Sequence, residues 1–150
     1  MGAISNATTH RFGLRLLNNG VTGISSFNIN FTGEQWRTNT AGSLVFEYQV
    51  ATTVTSLTAG TWTALTALDF AAPITAGVAA LDGNQAANRT AKSVLLTVNV
   101  PQNNEIFFRW TRAGASSPGL AIDDLSITAN GGAPATPVLA VTGTPVNLGS

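Results

Sequence analysis

The chain contains no cysteine, a single histidine and a single lysine, and charged residues make up only 9% of its 150 positions. Without cysteine there is no disulfide, no thiolate metal site and no cysteine nucleophile. The one histidine, His10, lies near the amino end in what reads as a loose stretch. It leaves no material for a Ser-His-Asp relay or a histidine-rich metal centre. An average soluble domain carries roughly 25% charged residues, and here the formal net charge is zero. No basic field exists to gather phosphates, so nucleic acid and anionic membranes are not expected partners. No apolar run approaches the ~20 residues of a membrane helix, and membrane insertion is not expected. The opening "MGAISNATTH" lacks the basic and apolar parts of a signal peptide; for an exported protein the signal would lie upstream. A sustained 3.6-residue period is also missing. The Ala-rich "DFAAPITAGVAAL" is interrupted by Pro73 and Gly77 and reads as loop.

What is present is period two. In "GISSFNINF" Phe27, Ile29 and Phe31 share one parity, with Asn28 and Asn30 on the other. "SLVFEYQV" sets Leu44, Phe46, Tyr48 and Val50 against Val45, Glu47 and Gln49. "SVLLTVNV", "NEIFFRWTR" and "LAIDDLSIT" follow, separated by the turn signals "NNG", "TGE", "TAG", "LDGN" and "ASSPG". Roughly seven to ten short strands without helices between them predict an all-β fold, an antiparallel sandwich. No internal repeat is visible, which excludes a solenoid. With so little charge, the polar surface must be Thr, Ser, Asn, Gln and Gly, a composition associated with extracellular or cell-surface proteins.

Composition divides the chain into a domain over 1–128, a Gly/Pro/Ala linker over 129–136 and a strand-like tail over 137–150. In that tail Val138, Leu139, Val141, Val146 and Leu148 are candidate assembly positions. They would pack on the domain itself, on a neighbouring copy, or open a following domain. The second case predicts a homo-oligomer or filament.

"LAIDDLSIT" holds two carboxylates where a strand buries apolar side chains. Asp123 shares parity with Leu125 and Ile127, and an ionised inward carboxylate is costly unless paired or metal-bound. Three readings stand. The pair could hold Ca²⁺, a hard ion taking six to eight oxygens; it could pair with Arg89, Arg109 or Arg37; or a bulge could turn both acids outward. Asp82 and Asn84 in "LDGN" form first of all a turn, and secondarily a source of oxygens for an ion. The full spacing of an EF-hand loop is absent.

Exposed Trp and Tyr are the material of sugar-binding surfaces, which makes Trp36, Trp62 and Tyr48 candidates for a glycan-contacting face. Glu34, Trp36 and Arg37 in "GEQWR" would form a polar cluster, or Trp36 would simply cover one end of the core. Catalysis has little support. Adjacent strand residues Asp123 and Asp124 would point to opposite faces and could not flank a bond as a carboxylate pair. Glu34, Glu47 and Glu105 have no evident partner acid. A non-enzymatic protein is expected.

The series "FGLRLLNN", "GEQWR", "LVFEYQV", "ALDGN", "FFRWTR" and "GLAIDDLSIT" resembles a module of exported bacterial multidomain proteins. That module occurs in the non-catalytic parts of secreted nucleases and phosphoesterases and in surface-anchored proteins. The resemblance covers about residues 1–128. The closing strand is also similar to the "IDD" strand of calcium-bearing jelly-roll carbohydrate-binding modules and MAM-type adhesion domains. The resemblance implies a jelly roll, a structural Ca²⁺ near Asp123 with Asp124 beside it, and a role in adhesion or glycan binding. Its alternatives are a structural subunit joined by strand exchange through the tail, and an accessory domain of a secreted hydrolase. In the similar modules "MGAISN" follows an earlier strand that has no counterpart in this chain. Such a sandwich would have an open groove.

Overall fold

The computed structural model describes residues 1–3, 9–53, 56–112 and 118–131. Nine strands run through them: β1 (Gly2–Ala3), β2 (His10–Leu17), β3 (Ile24–Arg37), β4 (Ser43–Ala51), β5 (Thr63–Ala64), β6 (Phe70–Ala71), β7 (Arg89–Val100), β8 (Glu105–Arg112) and β9 (Gly119–Gly131). Their pairing is antiparallel throughout and makes two sheets. One has the order β1-β9-β3-β7; the other has the order β2-β8-β4-β5, with β6 also on β4. The expected all-β sandwich of antiparallel sheets is the observed architecture.

The core lies between the sheets and follows from alternation. Phe27, Ile29 and Phe31 of β3 and Leu96 and Val100 of β7 face Leu44 and Phe46 of β4 and Ile106, Phe108 and Trp110 of β8, all buried. Phe27 meets Phe108 edge-on at 5.5 Å and Phe31 meets Trp110 at 5.5 Å, so aromatic pairs span the two layers. Each such side chain contributes about 2–3 kcal/mol by leaving water.

Three expectations are corrected by this packing. The signal read as a turn at "TGE" lies inside β3, which continues through Thr32, Gly33 and Glu34 to Arg37. Gly33 is there for space: a Cβ at that position would sit 2.3 Å from the Phe70 ring. His10 is not in a loose stretch but starts β2, opposite Arg112 of β8. Tyr48 carries the inward parity of Leu44, Phe46 and Val50 and is packed against the core, so its ring does not serve an outer ligand face.

The loop after β6 is fastened at its start by the Gln35 amide and at its end by Thr38, which donates its N–H to the Ala79 carbonyl at 2.9 Å and accepts from the Ala79 N–H at 2.8 Å. Fully buried Gln35 accepts from the Ile74 N–H at 2.9 Å and donates to the Ile74 carbonyl at 2.7 Å. These bonds hold residues 72–80 against β3, where Ala80 bridges to Arg37. At the carboxyl end β9 runs to Gly131, which pairs with Ile24, three residues past the boundary that composition placed at Thr128. The tail positions Val138, Leu139, Val141, Val146 and Leu148 lie outside the described residues.

Candidate functional site

The three short motifs "GEQWR", "LDGN" and "AIDD" come together at one end of the outer face of the β1-β9-β3-β7 sheet. β3 supplies this face with Asn28, Asn30, Thr32, Glu34 and Trp36, the residues of opposite parity to its core positions. β7 adds Arg89, Ser93 and Leu95, paired with Glu34, Asn30 and Asn28 respectively. β9 adds Asp123, Ser126 and Thr128, paired with Thr32, Asn30 and Asn28.

The acids of β9 reach this face through a bulge. Asn30 pairs with Ser126 but Thr32 pairs with Asp123, so β9 carries one extra residue there. Asp124 absorbs it with φ of 53°, in the left-handed region where a short polar side chain is best tolerated. The extra residue also switches parity. Leu120 and Ile122 point into the core before the bulge, Leu125 and Ile127 after it, and both carboxylates are exposed. Asp123 is therefore not an inward charge, and the two acids do not point to opposite faces. The bulge and the ion pair, expected as alternatives, occur together.

Asp124 Oδ2 accepts from Arg89 Nη2 at 3.3 Å and from the Thr32 hydroxyl at 3.3 Å. The same Arg89 nitrogen lies 3.5 Å from Glu34 Oε1. Glu34 is buried, at 3% exposure, although it stands on the outer face. Its Oε1 accepts no hydrogen bond, so the guanidinium supplies its compensating charge. Its Oε2 accepts from the Trp36 indole N–H at 3.1 Å. Trp36 itself is 42% exposed and lies on the outside of the sheet, not over the core. Arg37 is not part of the cluster; Arg89, distant in sequence, takes that place. Arg109, the other candidate partner for the β9 acids, belongs to the opposite sheet.

The "LDGN" turn supports the indole from the side. The Leu81 N–H donates to the Trp36 carbonyl at 2.9 Å, and a Cβ on Gly83 would sit 2.4 Å from Trp36 Cε2. Asp82 Oδ1 accepts from the Asn84 N–H and Oδ2 from the Gln85 amide, each at 3.0 Å. These bonds, the Gln85 one first, hold the Asp82 carboxyl below its ordinary value. The residues at 82 and 84 thus act as a turn that carries a glycine up to the Trp36 ring.

The described residues of the cluster pair its acids with an arginine and do not by themselves supply the oxygens of a calcium site. Ca²⁺ needs six to eight oxygens, whereas the Asp124 carboxylate is already in contact with a guanidinium and Asp123 faces solvent. Among the described residues no group of three or more His, Asp or Glu side chains is placed to hold an ion. A cation brought to Asp124 would meet the positive charge of Arg89.

A second outer-face arrangement lies on the other sheet. Arg109 Nε donates to Glu47 Oε2 at 2.8 Å, and its guanidinium carbon is 3.8 Å from the centre of the Trp62 ring. Trp62 is half-buried, and its indole N–H donates to the Ala59 carbonyl at 2.9 Å. The ring lies as a cover on a partly buried ion pair, which leaves it less free than Trp36 to meet a ligand. No sequence signal connects Glu47, Trp62 and Arg109, since they come from three separate segments.

Comparison with known proteins adds no relative. No family model matches the chain, and no curated protein or solved structure matches it.

Proposed function

We propose that this chain is a non-catalytic extracellular module, a jelly-roll sandwich of a bacterial surface or secreted protein, that binds glycan on the outer face of the β1-β9-β3-β7 sheet. The observation that carries this reading is Trp36: an exposed indole on a sheet face, held in one orientation by Glu34 and by the glycine of the 81–84 turn. An immobilised indole offers a sugar ring a flat apolar surface at little entropic cost. Further along the same face, toward the other end of β3, Asn28, Asn30, Ser93, Ser126 and Thr128 are neutral donors and acceptors, suited to hydroxyls. The low charge, with a Thr, Ser and Asn surface, supports an exposed location.

The test is a glycan array followed by titration of any hit. Trp36→Ala should reduce affinity at least tenfold with the melting temperature little changed. Gly83→Ala, which pushes on the indole without touching the core, should weaken the same ligand. Equal binding by Trp36→Ala and the parent chain would refute the site.

A further inference from the structure

Among the described residues, one long side of the sandwich is left uncovered. β9 pairs with β3 along its whole length, but on its other edge β1 reaches only Leu120, Ala121 and Ile122. Among the described residues, no strand pairs with the outer edge of β9 from Leu125 to Gly131. β2, the end strand of the second sheet on the same side, pairs with β8 alone. Between these two edges the inward side chains Leu125, Ile127, Phe12, Leu14 and Leu16 are only partly buried, while Ile29 and Phe31 of β3, Leu44 and Phe46 of β4 and Phe108 and Trp110 of β8 are fully covered. They line the opening.

We infer that this side is an interface between two copies of the chain, joined by antiparallel pairing of β9 with β9. Among the described residues three long strand edges have no partner, and they differ in charge. β2 carries Arg11 and Arg15, and β7 carries Arg89 and Lys92, the kind of side chains that keep edges from pairing. The free stretch of β9, "LSITANG", carries none. A net charge of zero means that two copies meet without long-range repulsion.

The stretch is also self-complementary. Residues directly opposite in an antiparallel pair share a face. A two-fold axis through Ile127 therefore sets apolar against apolar inside and Ser126 against the partner's Thr128 outside. The two four-stranded sheets become one continuous sheet, and each copy covers the other's half-buried Leu125 and Ile127. Such an isologous contact closes as a dimer and does not propagate into a fibre.

Light scattering coupled to size exclusion tests this on the full chain, with expected mass twice that of the monomer. Ser126→Lys/Thr128→Lys alters two exposed positions and sets like charges opposite each other across the axis. It should raise the dimer dissociation constant at least tenfold and leave the melting of the monomer intact. A monomeric parent chain at tens of micromolar would overturn the inference. So would a dimer that survives the double substitution, which must use another surface. A dimer seen only after residues 132–150 are removed would also overturn it, because the edge would then belong to the chain's own tail.

Discussion

Arg89 of β7 reaches across β3 to Asp124 of β9, guanidinium to carboxylate at 3.3 Å. Three strands are tied by this contact, since the same nitrogen faces Glu34 of the strand it crosses. The two halves of the tie differ in worth. Asp124 is exposed, and an exposed pair is worth at most about 1 kcal/mol. Glu34 is buried, and a buried carboxylate without its cation is costly.

Arg89→Ala should therefore destabilise the fold by about 3 kcal/mol, mainly through Glu34. Adding Glu34→Gln to that variant should recover part of the loss, because a neutral amide needs no counter-charge. Chemical denaturation of both variants checks it. A double variant less stable than Arg89→Ala would show that Glu34 does not depend on the arginine.

At the bulge the backbone, more than the carboxylate, sets the requirement. Asp124→Gly should stay within about 1 kcal/mol of the parent chain, losing only the exposed pair. Asp124→Val should cost about 1–2 kcal/mol more, since a β-branched residue resists positive φ. The reverse order would mean that the bulge is not retained in solution.

Calcium and EDTA bear on the same residues. With Arg89 against Asp124, neither millimolar Ca²⁺ nor chelation should move the melting temperature. A saturated site would instead add roughly 3 kcal/mol at a hundredfold excess over its Kd. A shift of that size, lost in Asp123→Ala, would place an ion here after all.

Acid should weaken the fold through Glu47. Its carboxyl is held below its ordinary value of 4.5, first by the hydrogen bond from Arg109. A depressed value in the folded state means that the stabilisation is fully present above pH 4.5 and is lost as pH falls through the folded value. Stability should fall on acidification below that point, and less steeply in Glu47→Gln. Identical pH profiles for the two proteins would remove Glu47 from the account.

The strands with clean alternation were legible because one face of each is core. Phe27, Ile29 and Phe31 or Phe46, Phe108 and Trp110 go where their parity sends them. β2 alternates too, through Phe12, Leu14 and Leu16, but these side chains are only partly buried and the strand's apolar signal is interrupted by Gly13 and Arg15. The site was less legible. "GEQWR" and "AIDD" are both visible, and Arg89 is one of three candidate partners for the acids, but it lies 35 positions before Asp124 and nothing local singles it out from Arg109 and Arg37 or joins it to Glu34. Gly33 looked like a turn because a glycine chosen for a bend and one chosen to clear a phenyl ring are identical in sequence.

Period-two alternation, lack of helical periodicity and scarcity of charge were enough by themselves to determine an antiparallel sandwich with a neutral polar surface. These are one-dimensional properties, and burial acts on them residue by residue. Which face Asp123 and Asp124 occupy was decided only in three dimensions. One extra residue in β9 changes the parity of everything after it, and its position depends on the register with β3. The partners of Glu34 and Trp36, and the strand edges left unpaired among the described residues, follow from the order of strands in the sheets. That order comes from contacts between segments far apart in the chain, and no local pattern records it.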